Sequence, residues 1–422
     1  MTINCPRGTA DIFGEDIKIR DFIIETAKKQ FQLFNYQEII TPAFEYTEVF
    51  NRSIGESTDI VKKEMYTFFD KKGRSITLRP EGTAAIVRAV IEHKLYNLNQ
   101  LLKLFYIENM FRYERPQKGR MREFWQIGIE AIGSDNPLVD AEVIWLLNLI
   151  YDKLGFKNLE LLINTVGCSK CRSNYIKVFK NYLKDKKNSL CQDCQERYDK
   201  NPLRIFDCKI QQCQQILKKS PVIFDYVCDE CRSHFLKVKN YLSSAGINFI
   251  VKNELVRGFD YYTRTIFEIV SKDLESAQNA LGGGGRYDNL IEQFGGPKTP
   301  AIGFAIGLDR TAVLLKQLNI PYKSKIKAVK VYIITMDENF NEYGIKILKI
   351  LRDLEINCDI SFVIKSISSQ IKLAEKNNYT HVIIIGESEF KSNIVTIKNL
   401  KTFEQRSFDL ISEKDKIKEF LK

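Results

Sequence analysis

Residues 124–133 read FWQIGIEAIG, and this stretch limits the fold more than any other. Side chains alternate faces along a strand. Trp125, Ile127, Ile129 and Ala131 therefore share a uniformly apolar face that belongs in a core, while Phe124, Gln126, Gly128 and Glu130 share the other. An aromatic plate, an amide, a gap and a carboxylate make a pocket wall rather than an ordinary solvated face. QLLKLFYIENMFRYE, just before it, also reads as a strand, and the basic loop RPQKGRMR joins the two. The pattern is antiparallel β-structure with flanking helices, not strand–helix–strand alternation.

The rest of the first 322 residues fits that reading. Residues 16–34 carry Ile19, Phe22, Ile23, Ala27 and Phe34 at helical spacing. MYTFFDKKGRSITLRP alternates on both sides of Lys71-Lys72-Gly73, a hairpin signal, and a helix is expected from Pro80-Glu81 to about His93. Strand character returns in GFDYYTRTIFEIV and PAIGFAIGLDR. Between them residues 165–235 turn cysteine-, lysine- and glutamine-rich, as a small helical insertion would. A lysine-rich linker, YKSKIKAVK, then precedes alternating strands and helices that close on a hairpin. The expected architecture is α+β: an antiparallel-sheet domain over 1–164 and 236–322, the insertion at 165–235, and a compact α/β domain over 326–422.

No apolar run approaches the ~20 residues a membrane helix needs. The N-terminus MTINCPRGTADIFGED has no signal-peptide pattern, so a cytoplasmic location is expected. A net charge of +11 favours a polyanionic partner such as nucleic acid, although a lysine-rich composition would give the same number. The three histidines, His93, His234 and His381, sit in no Ser/His/Asp or metal-ligand pattern.

Eight of the ten cysteines fall between Cys168 and Cys231. Without a secretion signal, paired cysteines point to metal before disulfide. Cys168-x2-Cys171 and Cys191-x2-Cys194, separated by 19 residues, have zinc-ribbon spacing. They are the expected ligands of a structural zinc. Cys208-x4-Cys213 and Cys228-x2-Cys231 would form a second site, share in the first, or be small buried thiols.

Arg112 and Glu114 share a face of the incoming strand and should lie beside Phe124 and Gln126. Arginine forks match phosphate oxygens, an aromatic ring can stack on adenine, and a carboxylate can accept from its amino group. Together they make an ATP site. No G-x-x-x-x-G-K-[ST] loop exists, and Gly282–Gly285 lie outside any strand–G-x-G-x-x-G–helix unit. These glycines are either a flexible turn or a place where the backbone approaches a ligand closely.

These residues carry a family resemblance. EIITPAFEYTEVFNRSIGE, FRYERPQKGRMREFWQIGIE and AIGFAIGLDR resemble motifs 1, 2 and 3 of class II aminoacyl-tRNA synthetases. RGTADIFGED, TLRPEGT and LVRGFDYYTRTIFE resemble the histidyl-tRNA synthetases within that class. The resemblance covers essentially the whole chain. It implies a six-stranded antiparallel catalytic sheet, a homodimer, an anticodon-binding C-terminal domain, and a reaction using ATP with Mg2+. L-Histidine is activated to histidyl-adenylate and then passed to the 3′ end of tRNA(His). The resemblance also implies residue roles. Arg112 holds the α-phosphate, Glu114 and Phe124 hold adenine, Arg310 covers its other face, and Arg120 takes the γ-phosphate. Glu81 and Thr83 of RPEGT, with Gln126, bind the α-ammonium, and Gly82, Arg112 and Arg257 also belong to the histidine site. Glu130 and Tyr262 meet the imidazole nitrogens, while Tyr261 and Tyr287 wall the pocket. Hydrogen bonds to both ring nitrogens allow discrimination of roughly 10⁴ without editing. Arg257 is the expected catalytic residue, an electrostatic clamp at the α-phosphate. Arg115, Lys118 and Arg122 touch the acceptor stem or are simply solvated.

Two other readings fit parts of the pattern. One is a silent paralogue such as the regulatory subunit of ATP phosphoribosyltransferase, which lacks the C-terminal domain and the RGFDYY motif. The other is an RNA-binding sensor built on a synthetase fold. The C-terminal domain and RGFDYY are both intact here, which argues against the first, and the complete set of ATP and amino-acid residues argues against the second.

Overall fold

Two units divide the chain, Met1–Lys323 and Ser324–Lys422. The computed structural model describes residues 3–421 apart from 56–57, 59, 98–100, 118, 274–278 and 323–328. Lys118 and most of the lysine-rich linker lie outside the described residues.

The first unit is built on an eight-stranded sheet. Its order is Gln37–Glu38, Leu102–Phe111, Glu123–Ile132, Ala301–Gly307, Ala280–Arg286, Thr263–Ser271, Leu159–Thr165 and Ile250–Val251. The inner six are antiparallel throughout, and the two short outer strands join parallel. The long hairpin over 102–132 has the expected two-faced character. Ile127, Ile129 and Ala131 pack with Ile302, Phe304, Ile306, Phe267 and Ile269 in one core. The helices Glu15–Leu33, Pro137–Leu154 and Leu308–Gln317, with the end of Asp229–Ser244, supply the other side of that core.

Local sequence sets the helix over Pro137–Leu154 cleanly. Asn136 caps it by accepting from the Leu138 amide at 2.9 Å. Pro137 opens the first turn, and Gly155 at φ 92° ends the helix in the left-handed region. Asp140 on this helix is fully buried. Its carboxylate accepts from Arg286 at 2.8 and 2.5 Å and contacts His234 Nε2 at 2.7 Å. His234 Nδ1 faces the Arg264 guanidinium at 3.4 Å, so a proton on Nε2 satisfies both ring contacts. His234 thus ties helices to the sheet.

The expected hairpin forms Thr67–Phe69 and Ser75–Leu78, and Phe44–Tyr46 completes a separate three-stranded sheet. The Asp70 carboxylate accepts from the Lys72 and Arg74 amides, both at 2.9 Å, and Gly73 at φ 75° takes the left-handed position of the turn.

The insertion is helical, with Ser169–Leu183, Gln192–Lys200, Gln211–Leu217 and Asp229–Ser244 joined by 3₁₀ turns. The sequence boundary at 235 falls inside the last helix. That helix continues because Phe235, Val238 and Leu242 are spaced to bury against the main core of the first unit.

The second unit has a five-stranded sheet in the order Asn357–Ile360, Lys330–Thr335, His381–Ile385, Ile394–Asn399 and Gln405–Asp409. The first three strands are parallel and the last two form the hairpin. Among the described residues, no helix is long and apolar enough to cross a membrane.

Candidate active site

The polar face of the central strands opens into a cavity of about 360 Å³. Arg112, Glu114, Arg120, Phe124, Gln126, Glu81, Thr83, Glu130, Arg257, Tyr261, Tyr262, Tyr287 and Arg310 all line it. Residues far apart in sequence therefore share one space.

The outer wall is the base of the basic loop. The strand ends at Phe111, so Arg112 and Glu114 are not strand residues as expected. Pairing runs one step further, with the Arg112 amide donating to Arg122 O at 2.8 Å, before the chain turns. Arg112 still lies over Phe124, its guanidinium carbon 5.2 Å from the ring centroid, and Nε donates to Pro80 O at 2.9 Å. Arg120 pairs with Glu114 at 2.9 Å. Arg310, in the first turn of Leu308–Gln317, donates to Ala280 O at 2.5 Å. Arg122 has a different task. Its amide donates to Gly8 O at 2.7 Å and its side chain stacks on Tyr113, so it fastens the loop to the N-terminal RGT segment.

The deep end is built around Glu130, which is 1% exposed. Thr83 Oγ1 donates to one carboxylate oxygen at 2.7 Å and Tyr287 OH to the other at 2.5 Å. Burial raises the Glu130 carboxyl from its usual range to about 8 despite those two donors. Glu81 beside it is also raised by burial, but its carboxylate accepts from the Thr83 and Ala84 amides, both at 2.8 Å. It caps the helix Thr83–Glu92, whose positive end favours the charge.

Glycines make the room. The gap seen at Gly128 is filled by Tyr106, the residue directly opposite in the hairpin. A Cβ at Gly128 would stand 2.3 Å from that ring, and one at Gly82 2.6 Å from it. A Cβ at Gly303 would strike the Glu130 carboxylate at 1.9 Å. Gly282–Gly285 are not a turn but part of the central strand Ala280–Arg286. A Cβ at Gly283 would come within 3.0 Å of Arg257 Nη1, and one at Gly285 within 2.9 Å of Tyr262. A glycine run is flexible in isolation, but ladder pairing on both sides holds this one straight and excludes the turn.

The third wall is the segment 257–262. Arg257 pairs with Glu268 across the glycine strand, and its Nε has no partner. Tyr261 stacks on Phe259 at 5.2 Å and meets Tyr287 edge-on at 5.8 Å. Gln126 Oε1 is likewise buried without a partner. Both residues line the cavity, so each brings a hydrogen-bonding atom not used within the protein to its wall. Sequence reasoning missed Tyr106, Phe259 and Glu268. The alternation that selected Gly128 could have found Tyr106, and Glu268 is the one charge inside the apolar run TIFEIV.

The sulfur atoms of the insertion fall into two groups of four. Cys168, Cys171, Cys228 and Cys231 form one, and Cys191, Cys194, Cys208 and Cys213 the other, with all sulfurs within 4.8 Å of their group. The expected site of Cys168, Cys171, Cys191 and Cys194 therefore does not assemble. The helix Ser169–Leu183 carries the chain away from the first pair, and only the start of Asp229–Ser244 returns to it.

Comparison with known proteins gives the same reading from outside. The family model for histidyl-tRNA synthetase matches residues 8–311. The chain belongs to the histidyl-tRNA synthetase family. The model for an anticodon-binding domain matches residues 330–420 of this family member. It is 48% identical to the histidine–tRNA ligase of Halothermothrix orenii, across 99% of this chain and 100% of that one. Identity to the Clostridioides difficile enzyme is 44%, with full coverage of both. The apo histidyl-tRNA synthetase of S. aureus has the same fold at a TM-score of 0.83 and 37% identity, covering 99% of this chain and 100% of that one. A Bacillus halodurans protein described as an ATP phosphoribosyltransferase regulatory subunit/histidyl-tRNA synthetase shares the fold at 21% identity and a TM-score of 0.64. The synthetase is thus a class II enzyme with a separate anticodon-binding domain.

The buried Glu130 carboxyl also makes stability depend on pH. Between its ordinary value of 4.5 and about 8, the folded chain holds a proton that the unfolded chain has released. Stability of the ligand-free enzyme therefore falls as pH rises through this window, by roughly 1.4 kcal/mol per unit at most. Urea midpoints of wild type should drop relative to Glu130→Gln between pH ~6 and ~8. Parallel curves for the two proteins would remove the buried proton.

Proposed function

We propose that this synthetase cavity joins histidine and ATP along its length, with the nucleotide at the outer wall and the imidazole at Glu130. The observation that carries this is the continuity of the cavity from Arg112 and Arg310, past Arg257, to Glu130. Phe124 offers a stacking face for adenine and Glu114 an acceptor for its amino group. Arg112, Arg120 and Arg310 offer guanidinium forks to the phosphates. Mg2+, arriving with the nucleotide, would neutralise phosphate charge, and Glu114 and Glu268 are carboxylates facing the same space.

At the deep end, Glu130 and Tyr262 take the two ring nitrogens. Gln126, Thr83 and Glu81 orient the α-ammonium, with Glu81 held by its two amide donors. A carboxylate oxygen of histidine then attacks the α-phosphorus, and the bond to the β-phosphate breaks with release of pyrophosphate. Arg257 meets the charge that develops there. In the second step the terminal ribose hydroxyl of tRNA(His) attacks the carbonyl carbon. AMP leaves, and its phosphate takes the hydroxyl proton. No histidine lines the cavity among the described residues, which suits a transfer without an enzyme base. Histidine-dependent ATP–pyrophosphate exchange followed by charging of tRNA(His) tests the reading. Exchange that is absent, or that does not depend on histidine, would defeat it. A homodimer and a structural zinc in the insertion belong to the same proposal.

In the second unit, a groove of about 410 Å³ beside the helix Ile367–Lys376 is lined by Phe362, Lys365, Lys372 and Lys376. Phe362 is 86% exposed. An exposed ring among lysines suits stacking of an unpaired RNA base. Phe362→Ala should raise KM for tRNA by on the order of 5–100-fold, on the scale of one stacked base. Pyrophosphate exchange should be unchanged. An unchanged KM for tRNA would rule the groove out.

A further inference from the structure

The insertion does more than fill space. Regular tetrahedral zinc–thiolate geometry, with Zn–S near 2.3 Å, sets sulfurs roughly 3.8 Å apart. Here Cys168 and Cys171 are 3.5 Å apart, and Cys191 and Cys208 3.8 Å. No pair is a disulfide, since all ten cysteines are free. Backbone amides already point at the sulfurs, from Cys228 to Cys171 at 3.1 Å and from Cys191 to Cys213 at 3.3 Å. Cys168, Cys191 and Cys228 each stand at the N-cap of a helix. Five of the eight sulfurs belong to buried residues: Cys171, Cys194, Cys208, Cys213 and Cys231.

Both groups carry side chains that reach the segment bearing Arg257. Arg172, next to Cys171, donates to Asp260 O at 2.9 Å and to Tyr262 O at 2.5 Å. Asn201 and Arg204 lie between Cys194 and Cys208. Asn201 donates to the Asp260 carboxylate at 2.7 Å, and Arg204 to Arg257 O at 3.4 Å. Residues 257–260 have no regular secondary structure of their own, so these contacts fix their path.

We propose that the insertion is a two-zinc module, one ion held by Cys168, Cys171, Cys228 and Cys231 and the other by Cys191, Cys194, Cys208 and Cys213, and that it positions the Arg257–Tyr262 segment through Arg172, Asn201 and Arg204. The outer site joins the two ends of the insertion, and the inner site closes its middle. Neither ion touches substrate. The positioning role rests on the assignment of Tyr262 to the histidine subsite and of Arg257 to the α-phosphate beside it; the ion count does not.

The first measurement is elemental analysis with native mass spectrometry of the full chain. Two zinc ions per chain are expected, and one or none overturns the module. Cys228→Ser/Cys231→Ser should retain one ion. Because that variant can also unfold, the positioning role is read from Arg172→Ala, which keeps every cysteine. It should hold two zinc ions while KM for histidine rises by on the order of 10–100-fold, the scale of a displaced binding group. KM for ATP should stay within about threefold of wild type, and Arg172→Lys should recover part of the loss. Equal KM values to wild type, or equal rises for both substrates, overturn the positioning role. Wild type with two zinc ions and no pyrophosphate exchange overturns the functional reading instead, and the positioning role with it.

Discussion

Replacing Arg257 with alanine should lower adenylate formation by roughly 10²–10³, the scale of losing one preorganised donor at a developing charge. Arg257 is half-buried and lines the cavity together with residues of both the nucleotide end and the imidazole end. Its Nε is without a partner. The guanidinium therefore has donor capacity left after pairing with Glu268. Removal has a second effect, because it leaves the Glu268 carboxylate unneutralised beside the expected phosphate path. Arg257→Lys separates the two contributions: it keeps the positive charge but loses the planar fork. Its exchange rate should lie between those of wild type and alanine. The measurement is single-turnover adenylate formation at saturating histidine and ATP, with the thermal midpoint checked alongside. Near-normal adenylate formation in the alanine variant would remove Arg257 from the chemistry.

Asp140→Asn should destabilise the first unit by about 3–5 kcal/mol, the range for taking one partner out of a buried ion pair. Asp140 and Arg286 are both 0% exposed, and the carboxylate also engages His234. Asparagine leaves the Arg286 guanidinium buried with Asp288 at 3.0 Å and the Ser134 carbonyl at 2.9 Å as its main remaining partners. Asp140 is held below the ordinary carboxylate range of 3.8, with the Arg286 and His234 contacts outweighing burial. Its contribution is therefore present above that range and lost as pH falls through the lowered folded value. Denaturation midpoints of the two proteins should be far apart at neutral pH and converge in strong acid. A loss below ~1 kcal/mol at neutral pH would mean that the network carries little of the stability.

The parts of the site that could be read directly were those governed by local rules. Alternation along FWQIGIEAIG put Glu130 and Gln126 on a pocket face and the isoleucines in the core. The hairpin about Gly73 and the strand–helix alternation after the linker likewise depend on residues within a few positions of one another. The family motifs extended this to Arg257 and Arg310, because matching residues imply a shared arrangement rather than reveal one.

What failed was whatever depended on which distant segments meet. Tyr106 fills the space over Gly128 because strand register sets them opposite. Gly282–Gly285 are straight because strands lie on both sides. The cysteine spacings permitted several partitions, and only the return of the helix Asp229–Ser244 to the first pair selects one. Arg122, one more charge in a basic loop, became a fastening because the N-terminal segment passes beside it. Sequence by itself determined the faces of the central strands, most element types and the family resemblance, since periodicity and motif act over short range. Tertiary structure alone decided the partners, because sulfur groups, buried ion pairs and the space left by glycine depend on chain paths that no local pattern encodes.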